Sequence, residues 1–191
     1  SVFDTLWDSS ARLAVGVEAH AQLLASRGQR DRALEILNTF DEQVGHNASI
    51  ARLSQAIASG DKIKVRRLTP DEGAALAIYV PAAALMSQTS DDVSAVYFVL
   101  ALALDPELHV ARSLWAQSLS NAERWDEAIG VLARVPETSA FYATSRGQIA
   151  WALQRSGRSQ SALAVAAEAL DHSPDRGLQI QIADLYRAVG R

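Results

Sequence analysis

The chain has 191 residues, with 18 Lys and Arg against 22 Asp and Glu and a formal net charge of −4. That length suits one core or one run of stacked repeats, and the acidic balance argues against nucleic acid as the main partner. The absence of cysteine excludes disulfides, thiolate catalysis and cysteine-ligated zinc while leaving the compartment open.

Hydrophobic residues make up 49% of the chain but aromatic ones only 6%, with Ala and Leu dominant, a composition that favours close-packed helices over strands. The first predicted helix runs from about Asp8 to Arg27, with Leu13, Val17, His20, Ala21 and Leu24 at helical spacing, and stops at Gly28. Arg32 to Phe40 forms its antiparallel partner across a short turn. Asn47 or Ser49 caps a further helix carrying Ile50, Leu53 and Ile57 and ending at Gly60. Lys62 to Leu68 reads as extended, with Ile63 and Val65 alternating with Lys62, Lys64 and Arg66.

Thr69-Pro70-Asp71-Glu72 has the pattern of a capping box with proline in the first turn, so a helix starts there and continues to about Ser87, kinked near Pro81. Its apolar part, Ala74 to Met86, is shorter than the ~20 residues a bilayer span requires. Ser90 or Asp91 caps a helix ending at Leu104. After Asp105-Pro106 the pattern predicts helices to about Asn121, from Asp126 to Val135, from Ser139 to Ser156, from Ser159 to Leu170, and a last one after Pro174. The fold class is therefore all-α.

Small residues recur at Ala82, Ala116 and Ala150, and again at Ser94, Ala128 and Ala162, each 34 residues apart. Paired helices need small side chains where they approach closely. These columns, with Ile149, Ala150, Leu153, Gly157, Ala162, Ala169 and Pro174 in the best unit and the ending Ala101 to Pro106 in another, resemble the tetratricopeptide repeat, a 34-residue helix-turn-helix unit. The resemblance implies a right-handed α-α superhelix with units at about 8–40, 69–106, 107–136, 139–174 and an incomplete 175–191, and with 41–68 as an irregular insertion. Pro81 departs from the pattern, as do Thr89 and Glu123 where a turn glycine is common. In the last unit Ile182, Ala183 and Tyr186 are expected to play the large-small-large part. The unit lacks a second helix, so the sequence is expected to be part of a longer chain whose open end self-associates weakly. The order of motifs also resembles large proteobacterial tetratricopeptide proteins, often exported to the envelope.

No histidine pair at metal-ligand spacing, phosphate loop, dinucleotide fingerprint or nucleophile elbow occurs, so no catalytic residue, metal or cofactor is expected. His20 reads as a core histidine, and Asp91-Asp92 as helix-start acids. What the resemblance implies is a concave groove that holds a protein or peptide segment. In its helical phase Tyr79, Met86, Gln117, Asn121, Trp151, Gln154, Arg155, Asp184 and Arg187 face that groove, with Trp151 as the aromatic anchor. Glu18 and Gln22 occupy the early helix, which is unlike the basic carboxylate clamp of chaperone-binding members. The alternative is a structural spacer or oligomerisation segment of a larger protein.

Overall fold

The structure, a computed structural model of the chain, describes residues 13–86, 88, 90–172 and 176–190. They form ten α-helices: α1 Ala14–Ser26, α2 Arg30–Val44, α3 Ala48–Ala58, α4 Pro70–Leu85, α5 Asp91–Leu104, α6 His109–Asn121, α7 Trp125–Leu132, α8 Tyr142–Arg155, α9 Ser159–His172 and α10 Arg176–Ala188. Strands are absent among the described residues. Trp7, Thr89 and Pro174 lie outside them. The chain divides into two compact units, residues 1–67 and 68–191.

In the first unit α1 and α2 form a hairpin on which α3 packs. Ala21 and Ala33 are completely buried where the paired helices meet, and Leu37, Phe40, Ile50 and Ile57 close the core. Asn47 starts α3 as predicted, its Oδ1 accepting from the backbone N–H groups of Ser49 (3.0 Å) and Ile50 (3.3 Å). The predicted extended stretch forms no strand: residues 61–69 have no regular structure, although Ile63 reaches the core.

The second unit is a succession of antiparallel hairpins, each helix packing on the next from α4 to α9, with α10 on α8 and α9. The capping box at its start is complete. The Thr69 N–H donates to Glu72 Oε2 at 2.7 Å and the Glu72 N–H donates to Thr69 Oγ1 at 3.2 Å. Helix α4 runs through Pro81, which has no N–H to offer the Ala77 carbonyl. Ser90 occupies the cap position of α5 without a side-chain hydrogen bond to it. Two boundaries shift from expectation. Helix α7 ends at Leu132, with Val135 buried in the turn beyond it, and α8 starts only at Tyr142 because Ser139 Oγ accepts from the Phe141 N–H (3.1 Å) in a local turn.

Both small-residue columns sit at helix contacts: Ala116, Ala150, Ala128, Ala162 and Ser94 are 0–1% exposed and Ala82 8%. The last helix departs from the expected phase. Leu178, Ile182 and Leu185 carry its burial at i, i+4 and i+7, and this stripe turns Ala183 outward.

The turns share one design. At Gly28, Gly60, Gly157 and Gly190 the backbone is left-handed, with φ between 80° and 85°. The residue after the first three closes the helix with a bond from its N–H to a carbonyl five residues back: Gln29 to Leu24 (2.9 Å), Asp61 to Ala56 (3.0 Å) and Arg158 to Leu153 (2.8 Å). The turn after α6 makes the same bond, Arg124 N–H to Leu119 O at 2.9 Å, but the left-handed residue there is Glu123, at φ 58°.

Candidate functional site

The expected groove residues come from the first helices of the hairpins, and the structure sorts them into three sets. The first set is buried. It is Tyr79 alone, whose column continues 34 and 68 residues on with Ser113 and Gly147, neither of them an expected groove residue and each enclosed like it. A Cβ on Gly147 would lie 2.9 Å from Leu178 Cδ1, so at this member of the column α8 meets α10. Tyr79 therefore does not offer its ring to a ligand. It packs at 6.2 Å between centroids from Phe98, and burial pushes its hydroxyl up to about 12.

The second set joins turn to turn. Asn121 donates through Nδ2 to both Asp91 carboxylate oxygens (3.1 and 3.3 Å). Arg155 places its guanidinium over the Trp125 ring, 6.0 Å from the centroid. Gln154 Nε2 donates to the Ala188 carbonyl at 3.5 Å, while its Oε1 accepts from Ser159 Oγ at 2.8 Å. Arg158 pairs with Asp126 at 2.7 Å. The first unit does the same with other groups, as Arg30 Nη2 donates to the carbonyls of Gly60 (2.8 Å) and Asp61 (3.2 Å). Each of these bonds except Gln154 to Ser159 spans one repeat, and the pattern of apolar residues carries no sign of them.

The third set remains at the surface. Gln117 is exposed and, one repeat on, Trp151 is half-buried, its ring resting on the core that α6 and α8 share. Met86 is half-buried at the end of α4. On α10 Asp184 and Arg187 are exposed and paired with each other at 2.5 Å.

Each unit also holds a charged cluster of its own. Between α8 and α9 the Glu168 carboxylate accepts from Tyr142 Oη and from Arg146, and His172 stands edge-on to the Tyr142 ring at 4.8 Å. The hydrogen bond from Tyr142, then Arg146, holds the Glu168 carboxyl below the usual carboxylate range. In the first unit burial raises the Glu18 carboxyl, against a smaller opposing hydrogen bond from Ser49, and Gln22 Nε2 donates to Glu18 Oε1 at 3.3 Å. His20 is buried in the same helix. Among the described residues no group of three or more His, Asp or Glu side chains is disposed to hold a metal ion, and no helix is long and apolar enough to cross a membrane.

Hairpins of this spacing, with small-residue columns at their crossings and left-handed turns between them, make a helical repeat fold of the tetratricopeptide type. The comparison with YrrB agrees on that fold. YrrB, described as a tetratricopeptide-repeat protein with an unusual peptide-binding site, matches over 96% of this chain and 98% of its own, with a TM-score of 0.52 at 17% identity. TTC0263, a thermophilic tetratricopeptide-repeat protein from Thermus thermophilus, matches over 86% and 94% with a TM-score of 0.49 at 16% identity. A MamA structure matches over 93% and 89% with a TM-score of 0.46 at 18% identity. No protein-family model and no curated protein matches the sequence.

Proposed function

We propose that residues 68–191 form a non-enzymatic scaffold that holds a protein or peptide segment against the first helices of the hairpins, α6, α8 and α10. The observation that carries this reading is Trp151. A half-exposed indole, fixed from below by a packed core and with the exposed Gln117 one repeat before it in the same column, supplies a rigid apolar contact with a polar group in its register. Segment recognition needs that combination, because the aromatic provides most of the binding energy and the polar rim sets orientation. The narrower surface replaces the full expected groove, since Tyr79 is buried and Asn121, Gln154 and Arg155 are engaged by neighbouring turns. Those same turn contacts favour the second reading, a structural spacer whose side chains serve stacking alone.

The two readings separate in a pull-down with the intact chain and its Trp151→Ala variant, each checked for an unchanged melting curve. A scaffold loses a defined protein on truncation of the indole. An identical set of retained proteins for both chains would favour the spacer.

A further inference from the structure

The second helix of the first hairpin in residues 68–191 has an apolar face that the packing leaves open. Helix α5 buries Ser94, Phe98, Ala101 and Leu102 against α4 and α6, yet Val93, Val96, Tyr97, Leu100 and Leu104 are 38–57% exposed. These five positions, at i, i+3, i+4, i+7 and i+11, form one continuous stripe along the helix. Beside it, Pro81 and Leu85 of α4 form with Val93 and Tyr97 the walls of a groove of about 390 Å³. Ala77 lines the same groove, and its carbonyl is the one that Pro81 deprives of a helical donor. The stripe with Leu85 presents roughly 500 Å² of apolar surface, within the size at which a monomer's largest patch is often functional.

Charge identifies the occupant. From Leu68 to Ala111 the sequence has no Lys or Arg, and six carboxylates: Asp71, Glu72, Asp91, Asp92, Asp105 and Glu107; of the basic groups beside them, Arg112 is buried with Nη2 donating to the Pro106 carbonyl and Arg124 is paired with Glu127. In the antiparallel hairpin they fall at the two ends of the stripe, Asp91 and Asp92 at the start of α5 and the other four where α5 ends and α4 begins. A second copy of the same face would bring carboxylate onto carboxylate in either orientation. An anionic surface is repelled for the same reason. A single helix with an apolar stripe and a Lys or Arg at each end complements both the stripe and its acidic ends. Fourteen residues of α5 span about 21 Å, or four turns of such a helix.

We infer that the outer face of α5, with the groove along α4, docks a cationic amphipathic helix of a partner protein. The site lies on different helices from the Trp151 surface and stands independently of it. The partner inserts apolar side chains at i, i+3, i+4 and i+7 along the stripe and sets its basic ends on the two acidic clusters.

The test uses the full chain and two labelled synthetic helices with the same leucine stripe, one ending in lysines and one in glutamates, titrated by fluorescence anisotropy at low and high salt. The lysine-ended helix binds, weakens severalfold as salt rises, and loses at least tenfold in affinity to the exposed-face variants Val96→Asp and Leu100→Asp, while Asp92→Asn with Glu107→Gln reduces the salt dependence. Equal binding of both helices, unchanged affinity in Leu100→Asp, or no binding of the lysine-ended helix overturns the inference. So does a monomer–dimer equilibrium in sedimentation that Leu100→Asp abolishes, because that result assigns the face to a second copy.

Discussion

Glu123 holds a left-handed backbone that four other turns assign to glycine, and replacing it isolates the cost of that conformation. For an L-residue the left-handed region is about 1–2 kcal/mol above the right-handed one, through the clash of Cβ with the following carbonyl. Glycine removes that cost but gives up about 0.5–1 kcal/mol of chain entropy on folding. The net expectation for Glu123→Gly is a gain of about 0.5–1 kcal/mol, because Glu123 is exposed and the turn keeps its Arg124-to-Leu119 bond. The reverse change at the equivalent turn, Gly157→Ala, meets no atom within 4 Å of the new Cβ, so only the backbone at φ 81° resists it and a loss of about 1 kcal/mol is expected. Urea titrations followed by circular dichroism measure both, with an unchanged slope as the check that the unfolded state is the same. A destabilised Glu123→Gly protein, or a Gly157→Ala protein as stable as the parent, would show that these turns do not depend on the left-handed residue.

Overpacking tests the small-residue columns: Ala150→Leu and Ala128→Leu, both at positions with no exposed surface, should each destabilise by about 1–3 kcal/mol in the same titration. The two perturbed carboxylates predict opposite pH behaviour. Glu18 is raised by burial, so its contribution to stability is present below the ordinary carboxylate range and is lost as pH rises through its folded value. Glu18→Gln should therefore raise the melting temperature at pH 7 and have little effect near pH 4. Glu168 is lowered by Tyr142 and Arg146, so its contribution is present above the ordinary range and is lost as pH falls through its folded value. Glu168→Gln should lower the melting temperature at pH 7, and the difference should close in acid.

What the sequence made legible was whatever depends on neighbours along the chain. The capping box at Thr69 and Glu72, the Asn47 cap and the stop at Gly28 rest on bonds two to five residues long, and the residue types alone specify them. The alanine columns were equally visible, because close helix approach leaves a periodic trace. Tyr79 was misplaced for a reason of geometry. Its ring packs on Phe98 of the second helix of its own hairpin, and a polar-tipped aromatic satisfies a groove pattern and a contact pattern alike until that partner is seen. In α10 the leucine and isoleucine stripe overruled the small residue, Ala183, that the repeat period marks out. The turn-to-turn bonds left no trace, since Asn121, Arg155 and Arg158 are the kinds of residue any solvated turn contains.

Those bonds shape how the protein comes apart. Each ties a turn to its counterpart 30 to 34 residues on, so the long contacts they make are all of nearly one length. A chain held that way has low contact order and behaves like a row of coupled segments, in which a hairpin's opening raises the opening probability of its immediate neighbours and little else. Several of the fasteners are exposed and charged, as Arg158 with Asp126 is, and salt screens them while leaving the alanine contacts untouched. Ionic strength thus acts on the cooperativity of unfolding more than on its midpoint: added salt broadens the transition as adjoining hairpins begin to melt on their own.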